Sequence, residues 1–232
     1  GGVFEFPRPT HRVAAVAPST LLPEDGEGSL QDAATAWDAI GHLQPPHDED
    51  LKVRGRWADL LPSIPEGENY LWHTNRKGGL PLFGWRTRYW SFLLKLSKRL
   101  PSWTIQAQPG PAVGPFHWEN RRLSVAEMAA IQTFPAMTRF FGSRVSVQKQ
   151  IGNAVPSLLA EVVGRAISEQ FFAKVYEAGP SLAVEPKRPI PPAARLQTVP
   201  KKFLALQGAH QDYVPAPRAR SRRSNASTPE LF

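Results

Sequence analysis

The sequence predicts a mixed α and β fold, loop-rich over its first half and helical over its second. Two observations carry this. Residues 121–178 hold apolar positions at helical spacing with clear start signals, whereas residues 44–120 are rich in Gly, Pro, Trp and Arg with only short runs. In addition, 41% of the 232 residues are hydrophobic, enough to build a sizeable core.

Taken in order, residues 1–22 open on Phe4-Glu5-Phe6-Pro7-Arg8-Pro9, where two prolines oppose a helix and predict an extended connection. The start lacks Met, which leads to the expectation that the chain begins inside a longer polypeptide. Leu30, Ala33, Ala34, Trp37, Ile40 and Leu43 then fit one face of an amphipathic helix, with Asp32 and Asp38 on its polar edge and Pro45-Pro46 ending it. In the loop-rich stretch, Ser102–Ala107 is a candidate strand or bend and Leu80–Trp85 another short extended candidate.

The helical part reads as two helices. Ser124-Val125-Ala126-Glu127 is a capping box, in which the Ser hydroxyl accepts from the Glu amide and the Glu carboxylate accepts in return. Leu123 and Met128 occupy the positions of a hydrophobic staple, and Pro135 stops this helix near Phe134. The second helix has apolar residues at 155, 158, 159, 162, 163, 166, 167 and 171, with Pro156 in its first turn. From Gly179 onward there are nine prolines in 54 residues, which predicts a disordered tail.

Several function classes are excluded or disfavoured. With no cysteine, the chain offers no disulfide, thiolate metal site or cysteine nucleophile. Its six histidines form no pair at zinc-ligand spacing, so no metal site is expected. No secretory signal opens the sequence, and no run approaches the roughly 20 apolar residues of a bilayer span. The net charge is +8, and the tail carries most of it, with nine Lys/Arg against three acids. Such a tail suits either a polyanionic partner or simple solubility.

Three blocks together resemble the C-terminal half of the DNA cytosine-5 methyltransferase family. Gln150-Ile151-Gly152-Asn153-Ala154-Val155-Pro156 is similar to the family's last motif, which touches S-adenosylmethionine. Arg122–Glu127 with Ile131-Gln132-Thr133-Phe134-Pro135 is similar to the motif before it, and Pro101–Ile105 to a segment gripping the DNA backbone. The resemblance covers roughly residues 1–175 and implies a partial α/β fold. Residues 1–22 would connect from a catalytic domain outside this chain, and 23–120 would form a loop-rich α+β target-recognition region. Residues 121–178 would complete a Rossmann-like cofactor domain, and 179–232 would lie outside as a disordered, basic, Pro-rich tail.

The resemblance further implies that Gly152, Asn153, Ala154 and Val155 line the edge of S-adenosylmethionine. Arg122, Ser124, Glu127, Gln132 and Gln150 are expected in structural roles, Glu127 as a capping residue. Thr104 is either a phosphate contact or a β-branched strand residue. In Trp85–Trp90, Arg86 and Arg88 are expected to face DNA while the aromatics pack, and Arg76-Lys77-Gly78-Gly79 is expected to be a mobile basic loop. The expected partners are double-stranded DNA and a cysteine-bearing N-terminal half, on the same polypeptide or a separate subunit. The expected setting is prokaryotic cytoplasm, at the nucleoid. Methyl transfer in this family needs a cysteine thiolate attacking carbon 6 of a flipped cytosine. This chain is therefore expected to be inactive alone, either as part of such an enzyme or as a non-catalytic DNA-binding relic or regulator.

Overall fold

Thr35 sets where the first helix starts. In the computed structural model, which describes residues 2–13, 30–45, 47–86, 88–187 and 189–212, the Thr35 hydroxyl accepts from the Asp38 amide. The Asp38 carboxylate accepts from the Thr35 amide at 2.8 Å. This reciprocal cap confines α1 to Ala36–Ile40, shorter than the helix expected from residue 30. The residues before it pair instead: β1 (His11–Arg12) lies parallel to β2 (Gln31–Asp32), with His11 opposite Gln31. Asp38 is buried rather than on a polar edge, and it accepts from the Lys187 amide at 2.6 Å.

Residues 47–120 contain few regular elements. Two short 3-10 helices, Ala58–Ser63 and Tyr70–His73, are joined by turns, and neither candidate segment, 80–85 or 102–107, joins a ladder. Their backbones are held elsewhere. The Leu82 and Phe83 amides donate to the His73 carbonyl, and the Gln106 carbonyl accepts from the Gln148 side chain. Two runs, 92–96 and 112–116, cross-link through Leu93 N–H to Ala112 O and Leu96 N–H to Phe116 O. Leu93 and Phe116 of these runs join a core with Leu60, Leu61, Ile64 and Leu82. Leu96 joins a second core with Ile40, Trp118, Leu123, Met128 and Ile151. Lys95 lies between, its ammonium donating to the Ile64 carbonyl at 2.5 Å, and burial pushes its pKa down to about 8.

The helical part has three helices rather than two. α2 spans Val125–Ile131, α3 spans Arg144–Asn153 and α4 spans Ser157–Phe172. α3 escaped the pattern because it turns only Val147 and Ile151 inward and ends on Gly-Asn, so its apolar stripe is too thin to read. α2 stops three residues before Phe134, where Thr133 adopts φ +55. The broad apolar stripe of α4 is mostly uncovered: only Ala166 is buried, while Leu159, Ile167 and Phe171 are exposed. Phe171 meets Phe4, and the Glu5 backbone exchanges two hydrogen bonds with Gln170.

The segment beyond Gly179 corrects the expected detached tail. The Ser181 and Leu182 amides donate to Glu161, and Ala194 N–H donates to Glu66. A short helix, α5 (Lys201–Leu204), inserts Phe203 into the first core, where it is 3% exposed and stacked on Trp57 with centroids 5.7 Å apart. Prolines suit an extended strap that follows a surface without a sheet. The rest of the expected tail, 213–232, lies outside the described residues, as do 14–22 of the expected connection. Truncating Phe203 to Ala is expected to cost about 3 kcal/mol, the low end for a buried Phe. Urea unfolding followed by tryptophan fluorescence measures it, and a loss below about 1 kcal/mol would show that the strap adds no stability.

Candidate functional site

Glu127 is completely buried at the start of α2, yet every oxygen is satisfied. Its carboxylate takes two parallel bonds from Arg121, at 2.7 and 2.8 Å, and one from the Ser124 amide at 2.7 Å. Burial works against the charge, but the Arg121 and Ser124 bonds outweigh it and hold the Glu127 pKa below its ordinary value. A carboxylate so enclosed braces the fold. The arginine that grips it is Arg121, not Arg122, for which the sequence predicts a structural role. Arg122 instead donates its amide to the Leu51 carbonyl and lines a small cavity of about 30 Å³ with Ile105, Leu123 and Arg144.

His117 completes this cluster. Its Nδ1 accepts from the Glu119 amide at 3.1 Å, which leaves Nε2 as the protonated nitrogen, 3.6 Å from Glu127. Burial, followed by the Arg121 charge, pushes the His117 pKa down to about 3, so the ring is neutral at pH 7.

Orienting α2 places Gln132 and Thr133 against the junction of α3 and α4. The Gln132 carboxamide donates to the Ile151 carbonyl at 2.9 Å and to the Ala154 carbonyl at 3.3 Å. In return, Ser157 N–H donates to the Gln132 carbonyl, and Leu158 N–H to the Thr133 hydroxyl. The two sequence motifs are thus clasped together, with orphan groups of both helix ends satisfied. Gln150 is not part of this clasp: it is exposed and donates to the Phe141 carbonyl.

The junction presents the residues expected at a cofactor edge. Asn153 and Val155 are exposed, Val155 to 61%, while Gly152 and Ala154 are half-buried. Gly152 is not a turn residue but the penultimate residue of α3. A Cβ there would stand 2.5 Å from Ala107 Cα and N, so the close approach it permits is to the chain's own backbone. Asn153 offers a donor and an acceptor beside an apolar Val155, a pairing that fits one edge of a nucleoside and not a whole pocket.

Gln106 donates to the Ser91 hydroxyl and so ties the segment of exposed Trp103 and Thr104 to the one that carries exposed Tyr89 and Trp90. Here the aromatics divide. Trp85 packs against the first core as expected, but Tyr89, at φ +65, and Trp90 face solvent. Arg86 and Arg88 are both exposed, and their carbonyls accept from the Tyr70 hydroxyl. The 76–79 loop is tied down rather than free. Its Gly79 amide bonds to the Trp72 carbonyl, and a Cβ at Gly78 or Gly79 would strike Trp72. Lys77 donates both its bonds to Glu68, while Arg76 stacks on Trp85 at 4.0 Å. Among the described residues, no cluster of His, Asp or Glu has the makings of a metal site, and no helix is long and apolar enough to cross a membrane.

Comparison with known proteins meets this geometry at the same residues. Residues 71–169 match the family of C-5 cytosine-specific DNA methylases. The chain is 45% identical over 184 residues to the Type II methyltransferase M.SacI of Streptomyces achromogenes, covering 73% of this chain and 45% of that protein. It is 32% identical over 158 residues to the Type II methyltransferase M.NgoFVII of Neisseria gonorrhoeae, 66% of this chain and 38% of the relative. With M.AquIB of Picosynechococcus, 44% identity extends over 71 residues, which is 26% of this chain but 51% of that relative. Over residues 71–169 the chain thus matches the C-5 cytosine-specific DNA methylase family, and the relatives it resembles are Type II methyltransferases. It spans less than half the length of the first two relatives. S-adenosylmethionine is the methyl donor of that family.

Two outcomes follow from this geometry. Gly152→Ala gains about 1 kcal/mol of helix propensity but presses a methyl into backbone, an overpacking cost of about 1–3 kcal/mol. Net destabilisation is expected in urea, and a stabilised variant would disprove the tight contact. Between pH 6.5 and 5 the unfolded chain binds a proton at His117 that the native protein refuses, so stability falls with pH. His73, buried with its pKa also lowered by burial, adds to the same slope. His117→Asn should flatten the fall in urea midpoint across that window, and an unchanged slope would remove His117 as its source.

Proposed function

We propose that this chain provides the DNA-recognition surface and one edge of the S-adenosylmethionine site of a DNA cytosine-5 methyltransferase, completed by a cysteine-bearing catalytic half. One observation carries the reading. The Gln132–Thr133 clasp holds the α3–α4 junction while leaving Asn153, Val155, Leu159, Ile167 and Phe171 exposed along one stretch of chain. An exposed run of that kind on a rigid support is what a second folded body covers. The short length of M.AquIB, 51% of which is matched by 71 residues, supports the idea that a separate polypeptide can suffice for this half.

Within that assembly, each group has a chemical task. Arg86 and Arg88 attract the phosphate backbone, the Thr104 hydroxyl donates to a phosphate oxygen, and exposed Trp90 and Trp103 offer faces for stacking. These contacts hold duplex DNA without reading it, so that the target cytosine can leave the stack. Asn153 would bond the polar rim of the bound S-adenosylmethionine and Val155 would cover its apolar face, with Gly152 and Ala154 keeping the backbone in place. The bound cofactor supplies the methyl group. The thiolate that attacks the base comes from the other half, because this sequence contains no cysteine.

The test is reconstitution. The purified chain alone is expected to transfer no labelled methyl from S-adenosylmethionine to duplex DNA, whereas addition of the N-terminal half of M.SacI should produce 5-methylcytosine. Leu159→Glu with Ile167→Glu should reduce that activity at least ten-fold without changing the chain's own melting. Activity of the chain alone would overturn the division of labour. DNA binding that persists while no catalytic half restores transfer would favour a non-catalytic binding protein.

A further inference from the structure

Arg76 is held in a way that neither Lys77 nor the exposed Arg88 shares. Its guanidinium lies 4.0 Å above the Trp85 ring, and its Nε donates to Asp212 at 3.2 Å. The other oxygen of Asp212 accepts from the Trp85 backbone amide at 2.7 Å. One carboxylate therefore fastens both the arginine and the residue it stacks on. The strap brings that carboxylate in by a close passage: a Cβ at Gly84 would stand 2.0 Å from the Gln211 carbonyl, so only glycine admits the strap there. Behind it, His210 stacks on Phe83 and Phe203 anchors the strap in the core.

The arrangement leaves a defined set of donors. With Nε engaged, the two terminal nitrogens make no hydrogen bond among the described residues, and the side chain remains 51% exposed. Those nitrogens form a planar, end-on fork, the shape that matches two adjacent acceptors. Guanine presents such a pair, N7 and O6, in the major groove. A phosphate also accepts two bonds, but Asp212 offsets the positive charge that phosphate rewards, while leaving the direction of the donors intact. Lys77 is occupied by Glu68 and has no fork.

We propose that Arg76, preorganised by Trp85 and by Asp212 of the C-terminal strap, reads a guanine in the recognition sequence, Asp212 acting as a positioning residue. The proposal rests on this chain binding duplex DNA, and it makes the strap part of the reading head. Immobilising the fork beforehand removes the ordering cost that a free arginine meets on binding.

The experiment is selection from a pool of duplexes with a randomised central segment, using the full chain and sequencing the bound fraction. The wild type should enrich a sequence with at least one guanine position, preferred about ten-fold or more over other bases. Arg76→Lys, which keeps the charge but loses the fork, should flatten that position while the others persist. Asp212→Asn should weaken the same position several-fold, with Asp212→Glu restoring part of it. Uniform loss of binding across all sequences on Arg76→Lys would identify a phosphate contact and overturn the proposal. So would an unchanged preference in Arg76→Lys, or a wild type that binds with no guanine preference. Failure of the wild type to bind any duplex would instead overturn the proposed function beneath it. Melting curves establish that Asp212→Asn is folded. Arg76→Lys, altering only an exposed side chain, keeps the test decisive if Asp212→Asn is not.

Discussion

A carboxylate shut off from water organises the second half of this protein. Glu127 would be costly to bury alone, and its ion pair with Arg121 is tolerable only because the Ser124 amide takes the remaining acceptor capacity. That arrangement ties the start of α2 to the loop carrying His117 and Arg121. The direction of α2 then decides where Gln132 and Thr133 arrive, and these two hold the α3–α4 junction by four hydrogen bonds in both directions. From one buried charge, the order runs to a clasp and then to an exposed edge.

The first half obeys a different constraint. With few ladders available, its backbone groups are satisfied by turns and side chains, and two apolar clusters share the paired runs 92–96 and 112–116. Buried cations stiffen this region: Lys98 pairs with Glu66 at 2.5 Å, with both side chains 8% exposed. Glu66 also receives the Ala194 amide, so the strap contributes to the same buried network. An irregular scaffold of this kind presents loops at set positions, which suits a surface whose chemistry resides in Arg, Thr and Trp side chains.

Local signals were the legible ones. The Ser124–Glu127 capping box is present as written in the sequence, because each partner lies within one helical turn of the other. The start of α4 is legible to within two residues, since Pro156, expected in the first turn, stands just before it as the N-cap. The cap at Thr35 is less legible because Asp38 stands where Glu or Gln is usual, and apolar spacing alone carries the helix back to residue 30. Gly152 is expected from the sequence at the cofactor edge, but the close approach it makes is to Ala107, 45 positions away. No periodicity reports such a neighbour.

The sequence by itself determined the family motifs, the caps and the want of a cysteine, since each of these resides in a few adjacent residues. Tertiary structure alone decided which arginine meets Glu127, that Trp90 faces outward, and that the Pro-rich strap returns to the body. It also decided that α4 leaves Leu159, Ile167 and Phe171 of its apolar stripe exposed. Periodicity states that a helix has an apolar face. Whether anything covers that face depends on where distant segments come to rest, and the contact energies that settle this are summed over the whole fold.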